Sequence, residues 1–326
     1  MNGESITSPV TSSGDLIADR RYRFGRDLAG RGDFAAAADL FVQALEAAPA
    51  FAPAWFALGE ARVKLGDDAG ATGALRRALA IDPDDHCGAA LQLARLGAGD
   101  AAHAMSRAYV RALFDQYAPR FDAALRSLAY AGPARLREAI EKVRPDMTFD
   151  HMLDLGCGTG LAGAAFRSQV RHLTGVDLSP AMVAQARTKQ IYDRLETDDL
   201  VQFLATERST GSVYDLVVAA DVFVYVFDLA PVAAAVAAVL CSNGLFAFTV
   251  ETHGGDGVEL GEKLRYRHGA EHVRRAIEAA GLWVRAISPV ATRIEANESV
   301  PGLLALAVRP EATHDIPASP WIVSIP

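Results

Sequence analysis

Cysteine is scarce in this sequence: Cys87, Cys157 and Cys241 are scattered and odd in number. No disulfide framework can be built from them, and a reducing cytoplasm is the expected compartment. Long apolar runs are missing too. The longest, LAPVAAAVAAVL (229–240), is too short for a membrane span and carries Pro231, so no membrane association is expected. The opening stretch MNGESITSPVTSSGDLIADR is rich in Ser and Thr but has no apolar centre, and so does not read as a signal peptide. Clustered positive charge is also absent. With 32 Lys and Arg against 40 Asp and Glu, a net charge of −8, there is no basic face to neutralise phosphates, and nucleic acid is not an expected partner. What remains is a chain of 326 residues, 51% apolar and 22% charged, enough for a large globular domain with a core and a smaller one beside it.

The first hundred residues repeat on themselves. GDFAAAADLFVQALEAAP starts at Gly32 and GDDAGATGALRRALAIDP at Gly66, and the pairs Gly32/Gly66, Asp33/Asp67, Leu45/Leu79 and Pro49/Pro83 share one spacing. That period, with WFALG at 55–59, resembles the tetratricopeptide repeat, a helix-turn-helix unit. It departs from the pattern at Arg62, where an aromatic is usual. A third unit, LARLGAGDAAHAMSRAY (93–109), keeps only Gly99 and Asp100 and reads as a degenerate cap. Such helices can be a structural appendage or a concave surface for a protein partner. Both readings stay open.

From about residue 148 short apolar runs alternate with helical stretches. TFDHMLDL (148–155), HLTGVDLS (172–179), VYDLVVAAD (213–221) and GLFAFTVET (244–252) predict strands. LWVRAISPV (282–290) and GLLALAVRP (302–310) predict a closing pair. LAGAAFRSQV (161–170), PAMVAQARTKQIYD (180–193), 229–240 and EHVRRAIEAAG (271–281) predict the helices between them. Alternation of this kind gives an α/β, doubly wound, Rossmann-like sheet covered on both faces. Ligands bind such sheets beyond the carboxyl ends of the strands, where strand order reverses.

The glycines of LDLGCGTG (153–160) sit at the first such end. Gly158, Gly160 and Gly163, with Asp177 further on, fit the dinucleotide fingerprint; Gly156, Gly158 and Gly160, with Asp154 ahead of them, fit a second spacing. Charge separates the two better than spacing does. A pyrophosphate here would meet the Asp154 carboxylate with no Lys or Arg in the loop to offset it, whereas a cationic ligand would be attracted. DLGCGTG (154–160), GVDLS (175–179), YDLVVAADVF (214–223) and the closing strand pair resemble the class I S-adenosylmethionine-dependent methyltransferases. In particular, they resemble the bacterial type with N-terminal tetratricopeptide repeats. YVRALFDQYAPRFDAALRSLAYAGP (109–133) echoes the join, and the likeness covers roughly residues 20–310.

The resemblance implies S-adenosyl-L-methionine as cofactor. It implies that Gly156, Gly158 and Gly160 pass under it, that Asp154 holds its amino group and that Asp177 takes the ribose hydroxyls. It also implies that Asp199, with Asp198 beside it, meets the adenine edge, although a small apolar residue is more usual in the place of Asp198. Tyr117 and Phe121 would close over the cofactor as a lid. Each has a plainer reading. Asp177 or Ser179 can cap the helix entered at Pro180, Tyr117 and Phe121 can be core, and Cys157, with no base beside it, a packing residue. The catalytic group is not assigned; Asp221, Tyr225, His253 and His268 are candidates by their place near strand ends. His268-x-x-Glu271-His272 has the form of an inverted zinc-protease motif, but a third ligand is hard to find and no metal is expected.

The expected organisation is a tail (1–14), repeats (15–105), a helical connector or lid (106–145), the methyltransferase domain (146–310) and a C-terminal extension (311–326). The expected function is methyl transfer to a small molecule or protein, with the repeats engaging a protein partner. A cofactor-binding scaffold without transfer, and a nicotinamide-dependent oxidoreductase, are the alternatives.

Overall fold

A computed structural model describes residues 12–145 and 148–311. Most of the expected tail, the first residues of the expected methyltransferase domain and all but Glu311 of the C-terminal extension lie outside the described residues. The described chain divides into two compact units. The first holds residues up to Gln116 together with Glu262–Leu264; the second holds Tyr117–Gly261 and the residues from Arg265 onward.

The first unit is all helix: α1 (Leu16–Gly30), α2 (Phe34–Ala47), α3 (Ala52–Lys64), α4 (Asp68–Ile81), α5 (Ala89–Arg95) and most of α6 (Arg107–Tyr117). The repeated Gly-Asp has one job in both copies. Gly32 and Gly66 take positive φ (85° and 78°), and Asp33 and Asp67 then accept the Ala36 and Gly70 amides as N-caps of α2 and α4. A second repeated glycine lets the paired helices approach. A Cβ on Gly25 would come 2.6 Å from the Phe41 ring, and one on Gly59 2.7 Å from Leu75. Arg62, the departure from the repeat pattern, donates to the Gly70 carbonyl at 2.9 Å and so joins α3 to α4 through a polar contact. Of the expected tail, Ser12 and Ser13 hydrogen bond to Asp19 of α1, so those two residues are tied down.

The second unit holds α7 (Phe121–Ser127), α8 (Gly132–Val143), β1 (Phe149–Leu155), α9 (Leu161–Phe166), β2 (Val170–Asp177), α10 (Pro180–Thr188), β3 (Arg194–Thr197) and α11 (Leu200–Thr210). There follow β4 (Tyr214–Ala219), α12 (Ala230–Val239), β5 (Leu240–Glu251), β6 (Val258–Leu260), β7 (Tyr266–His268), α13 (Ala270–Ala279), β8 (Trp283–Glu295) and β9 (Glu298–Val308). Five parallel strands run β3-β2-β1-β4-β5. The antiparallel β9 follows β5, with β8 outside it, and the β6–β7 hairpin joins the far end of β5. The chain moves outward from β1 through β2 to β3, then returns to the other side of β1 as β4. The switch point therefore lies between β1 and β4.

Burial alternates with the two-residue period of a strand. Leu153, Val217, Ala219, Phe246 and Phe248 face α11, α12 and α13; Met152, Leu216, Val218, Leu245 and Ala247 face α8 and α9. Asp154 has the parity of Met152 and so enters the α8–α9 side of the core. The expected connector (106–145) is divided: α6 lies almost wholly in the first unit, whereas α8 buries Leu136 and Ile140 against the sheet as one of its covering helices. Several expected elements are corrected. The helix after β2 stops at Thr188, the closing strands reach Glu295 and Val308, and β3, α11 and the β6–β7 hairpin were not foreseen. Among the described residues no helix is long and apolar enough to cross a membrane.

Candidate cofactor site

Gly156, Gly158 and Gly160 all take positive φ, at 73°, 53° and 91°, so the chain doubles back at the end of β1. The Gly156 and Cys157 amides donate to the Val176 carbonyl at 2.8 and 2.9 Å, fastening the loop to β2. The neighbours of each glycine tell what it is there for. A Cβ on Gly156 would lie 2.6 Å from a Val222 methyl, one on Gly160 2.9 Å from the Tyr192 ring, and one on Gly163 2.3 Å from the Tyr192 hydroxyl. Those three are glycine because side chains press on them. At Gly158 the nearest atom is a Phe121 ring carbon at 3.8 Å, so here the backbone itself lies open to approach.

Asp154 lies beneath this loop, 1% exposed. Its Oδ2 accepts the Tyr192 hydroxyl at 2.6 Å and the Gly163 amide at 2.9 Å. Burial pushes its pKa up to about 6, while those two donors pull the other way. The third glycine of the dinucleotide fingerprint therefore has its N–H committed to a carboxylate and its Cα beneath a phenol. That is helix–strand packing, which the fingerprint also asks of this glycine, so what speaks against a pyrophosphate at the start of α9 is the Asp154 charge.

Asp177, at the end of β2, accepts the Gly158 amide on Oδ2 and the Ser179 amide on Oδ1, both at 2.8 Å. Ser179 itself caps α10 through the Met182 amide at 3.1 Å. Asp198 follows β3 and donates its amide to the Asp177 carbonyl at 3.1 Å, which places the 198–199 corner beside β2. Asp199 is the N-cap of α11, with Oδ1 accepting the Val201 and Gln202 amides.

Tyr117 and Phe121 meet edge to face at 5.5 Å, and it is Phe121 that reaches over Gly158. The strap carrying them is tied to the loop. Asp122 accepts the Thr159 hydroxyl and pairs with Lys189 at 2.8 Å. Further along, the Ala131 amide donates to the Thr292 carbonyl and the Ile294 amide to the Leu128 carbonyl, so the strap runs on to β8.

Beyond β4 and β5 lies a buried charge network that the sequence reading did not anticipate. Asp221, at a φ of 57° unusual outside glycine, accepts the Thr249 and Thr292 hydroxyls and pairs with Arg293 at 2.8 Å. Arg293 also pairs with Glu251 and Glu295, and Arg265 bridges the same two glutamates. A carboxylate with both oxygens so occupied is an anchor before it is a base. Tyr225 is half-buried beside this network, and desolvation raises its pKa. Tyr130, on the strap, is raised well above the usual phenol value by burial and by Asp221, with Asp154 also in reach.

The two histidine candidates turn away from this corner. The His253 ring lies 3.3 Å from the Gly257 carbonyl and organises its own loop. His268 is fully buried at the end of β7, not on a helix, with Nε2 3.1 Å from the Phe223 carbonyl. Burial lowers its pKa to about 4, leaving it neutral at pH 7. Its ring stacks on His272 of α13 at 5.6 Å, but among the described residues no group of three or more His, Cys, Asp or Glu is arranged to hold a metal.

The structure thus brings the glycine loop, Asp154, Asp177 and Phe121 to one corner. It puts Asp198 and Asp199 at the edge of that corner, Asp221 and Tyr225 beyond β4, and the histidines elsewhere. Tyr192, Asp122, Lys189 and Arg293 were missed. Asp122 stands at the start of α7 in the 109–133 join, Lys189 and Tyr192 between α10 and β3, and Arg293 near the end of β8.

Apart from Phe121, this corner lies inside residues 153–246, which match the family model of a methyltransferase domain, while residues 22–86 match a tetratricopeptide repeat. The chain joins tetratricopeptide repeats to a methyltransferase domain. Similar proteins include methyltransferase-like protein 27 of Homo sapiens, 34% identical over 91 residues covering 27% of this chain and 37% of that one. Another is the malonyl-[acyl-carrier protein] O-methyltransferase of Dechloromonas aromatica, 35% identical over 26% of this chain and 30% of that one. The chain spans about a third of the length of these two relatives. For the fold, the Burkholderia thailandensis 1,6-didemethyltoxoflavin-N1-methyltransferase superposes with a TM-score of 0.50 at 17% identity, over 63% of this chain and 88% of that one. The methyltransferase domain accordingly has the Rossmann-like fold expected for it.

Proposed function

We propose that the protein is a cytoplasmic S-adenosylmethionine-dependent methyltransferase, acting on a small-molecule or protein acceptor, with the repeats binding or orienting a protein partner. The observation that carries this reading is the chemistry around Gly158. An open stretch of backbone lies between a buried carboxylate, Asp154, and an edge carboxylate, Asp177. Carboxylates on both sides suit an ammonium and a sulfonium.

The residues fit the cofactor in this way. Asp154 would hold the amino group, the Gly156–Gly160 backbone would carry the methionine and adenosyl parts, Asp177 would take the ribose and the Asp198–Asp199 corner the adenine. When bound, it would supply an electrophilic methyl group on a sulfonium, leaving as a neutral thioether. The chain's own contribution is then alignment and exclusion of water, with Tyr117 and Phe121 covering the loop. A base is required only if the acceptor atom carries a proton. Asp221 and Tyr225, past β4, are the groups on that side. In the repeats, a cavity of about 610 Å³ lined by Ser13, Pro49, Phe51, Ile81 and His86 supports the partner-binding role.

Titration calorimetry with S-adenosylmethionine, S-adenosylhomocysteine and NAD tests the reading. Binding of the first two without the third supports it, and binding of NAD alone sinks it. Asp177→Ala should weaken S-adenosylmethionine about tenfold, the loss expected for a charged hydrogen-bond partner. Unchanged affinity would remove Asp177 from the ribose role. A second reading, a scaffold that binds cofactor without transfer, draws on the full engagement of Asp221. It predicts cofactor binding with no methylation across an acceptor library.

A further inference from the structure

Tyr192 stands in the turn between α10 and β3, outside every motif, yet it touches the site twice. Its ring packs where Gly160, Gly163 and Gly175 lack side chains; a Cβ at these positions would come 2.9, 2.5 and 2.7 Å from it. Its hydroxyl donates to Oδ2 of Asp154 at 2.6 Å, and the Gly163 amide converges on the same oxygen at 2.9 Å. Oδ1 takes neither of these donors. The carboxylate is thus gripped through one oxygen, which fixes where the other points.

We propose that Tyr192 is a positioning residue for the amino-acid end of S-adenosylmethionine, its hydroxyl aiming the Asp154 carboxylate so that the second oxygen receives the ammonium group. This rests on the cofactor reading above. The physical need is plain. A carboxylate in a buried site is costly unless hydrogen bonded, and an ammonium pairs well only with one that is ionised and held still. The phenol meets both needs, because its own burial keeps it protonated and therefore a donor. Four titratable groups face Asp154: Tyr192 from the α10–β3 turn, Asp177 from β2, Cys157 in the glycine loop and Tyr130 from the strap. Of these, Tyr192 makes the direct bond, while Asp177 opposes ionisation by its charge.

Tyr192→Phe isolates the hydroxyl, since the ring stays on its three glycines. Affinities of the wild type and the variant would be measured for S-adenosylmethionine and for 5′-methylthioadenosine, which keeps the adenosine and sulfur but lacks the amino acid. The measurements would run from about pH 5 to about pH 8. Expected is a loss of about tenfold for S-adenosylmethionine with under about twofold for methylthioadenosine. The acid limb of S-adenosylmethionine binding should also move to higher pH in the variant. Equal losses for the two ligands would make Tyr192 a packing residue, and no loss for either would make the hydroxyl idle; both overturn the proposal. In an Asp154→Asn background the same substitution should add almost nothing, and a full further loss there also overturns it. If the wild type binds methylthioadenosine and not S-adenosylmethionine, or neither, the cofactor reading fails before Tyr192 is at issue.

Discussion

In the repeats, Gly25 and Gly59 stand at equivalent positions beneath Phe41 and Leu75, and the missing side chain is replaced at once by a neighbour's. In the methyltransferase domain, Gly156, Gly160 and Gly163 are filled in the same manner by Val222 and Tyr192, but Gly158 is not. A glycine motif read as a string merges two physical causes, close packing and close approach of a ligand, and only the neighbours separate them. Three of the four glycines around LDLGCGTG belong with Gly25 and Gly59. One, Gly158, stands open to a ligand.

The sharpest break should come from charge, where the two units differ most. Arg293→Met takes the cation from Asp221 and leaves Glu251 and Glu295 to Arg265, and breaking a buried pair costs about 3–5 kcal/mol. Urea unfolding should register that loss, with Arg26→Met in the repeats, which pairs with Glu60 alone among the described residues, costing far less. A small change for Arg293→Met would mean that the network relaxes or takes in water.

Next come the glycines themselves. Gly59→Ala forces a contact with Leu75 and should cost about 1–3 kcal/mol of stability, as overpacking does. Gly158→Ala meets open space, so its cost is the positive φ alone, about 1 kcal/mol. Its S-adenosylmethionine affinity should fall tenfold or more, because the methyl group occupies the approach. Gly158→Ala with wild-type affinity would return Gly158 to the packing class.

The smallest effect is one of pH, and here the units agree. Each holds a buried aspartate pushed up to about 6 by burial: Asp85, which accepts the Ala89 and Ala90 amides, and Asp154. Unfolded, both would ionise near pH 4. Between about 4 and about 6 the folded chain keeps protons that the unfolded chain has released, so stability falls as pH rises through that window and levels off above it. Asp85→Asn should flatten part of the slope and leave cofactor affinity alone. Asp154→Asn should flatten its own part and weaken S-adenosylmethionine. An unchanged slope in either variant would show that the carboxylate already titrates at its ordinary value.

The 34-residue period was legible because each repeat spends Gly, Asp and an apolar face at fixed offsets, and the α/β alternation because the central strands are continuous apolar runs. β3 (RLET) was not legible: it has no fully buried residue and so no apolar signature. α11 was hidden by its mixed sequence LVQFLATERST, in which Phe203, Leu204 and the ion-paired Glu207 are the buried residues. At the site, Asp154, Asp177 and the glycine loop could be read because each falls in a short motif at the end of a strand. Tyr192, Arg293 and Asp122 act across 38, 72 and 37 residues of chain to Asp154, Asp221 and Thr159, and no local pattern records such contacts. His268 misled for the opposite reason. Its spacing to Glu271 and His272 gave the form of a metal motif, but β7 ends and α13 begins between the two histidines, and a fully buried His268 stacks on a half-buried His272.

The account stands on which end of which ligand meets Gly158 and Asp154. A crystal structure with S-adenosylhomocysteine bound tests that directly. The account predicts the homocysteine ammonium on Asp154, the backbone of Gly158 against the ligand and the ribose hydroxyls on Asp177. A ligand bound elsewhere, or a phosphate-bearing nucleotide accepted on the loop in its place, would contradict it.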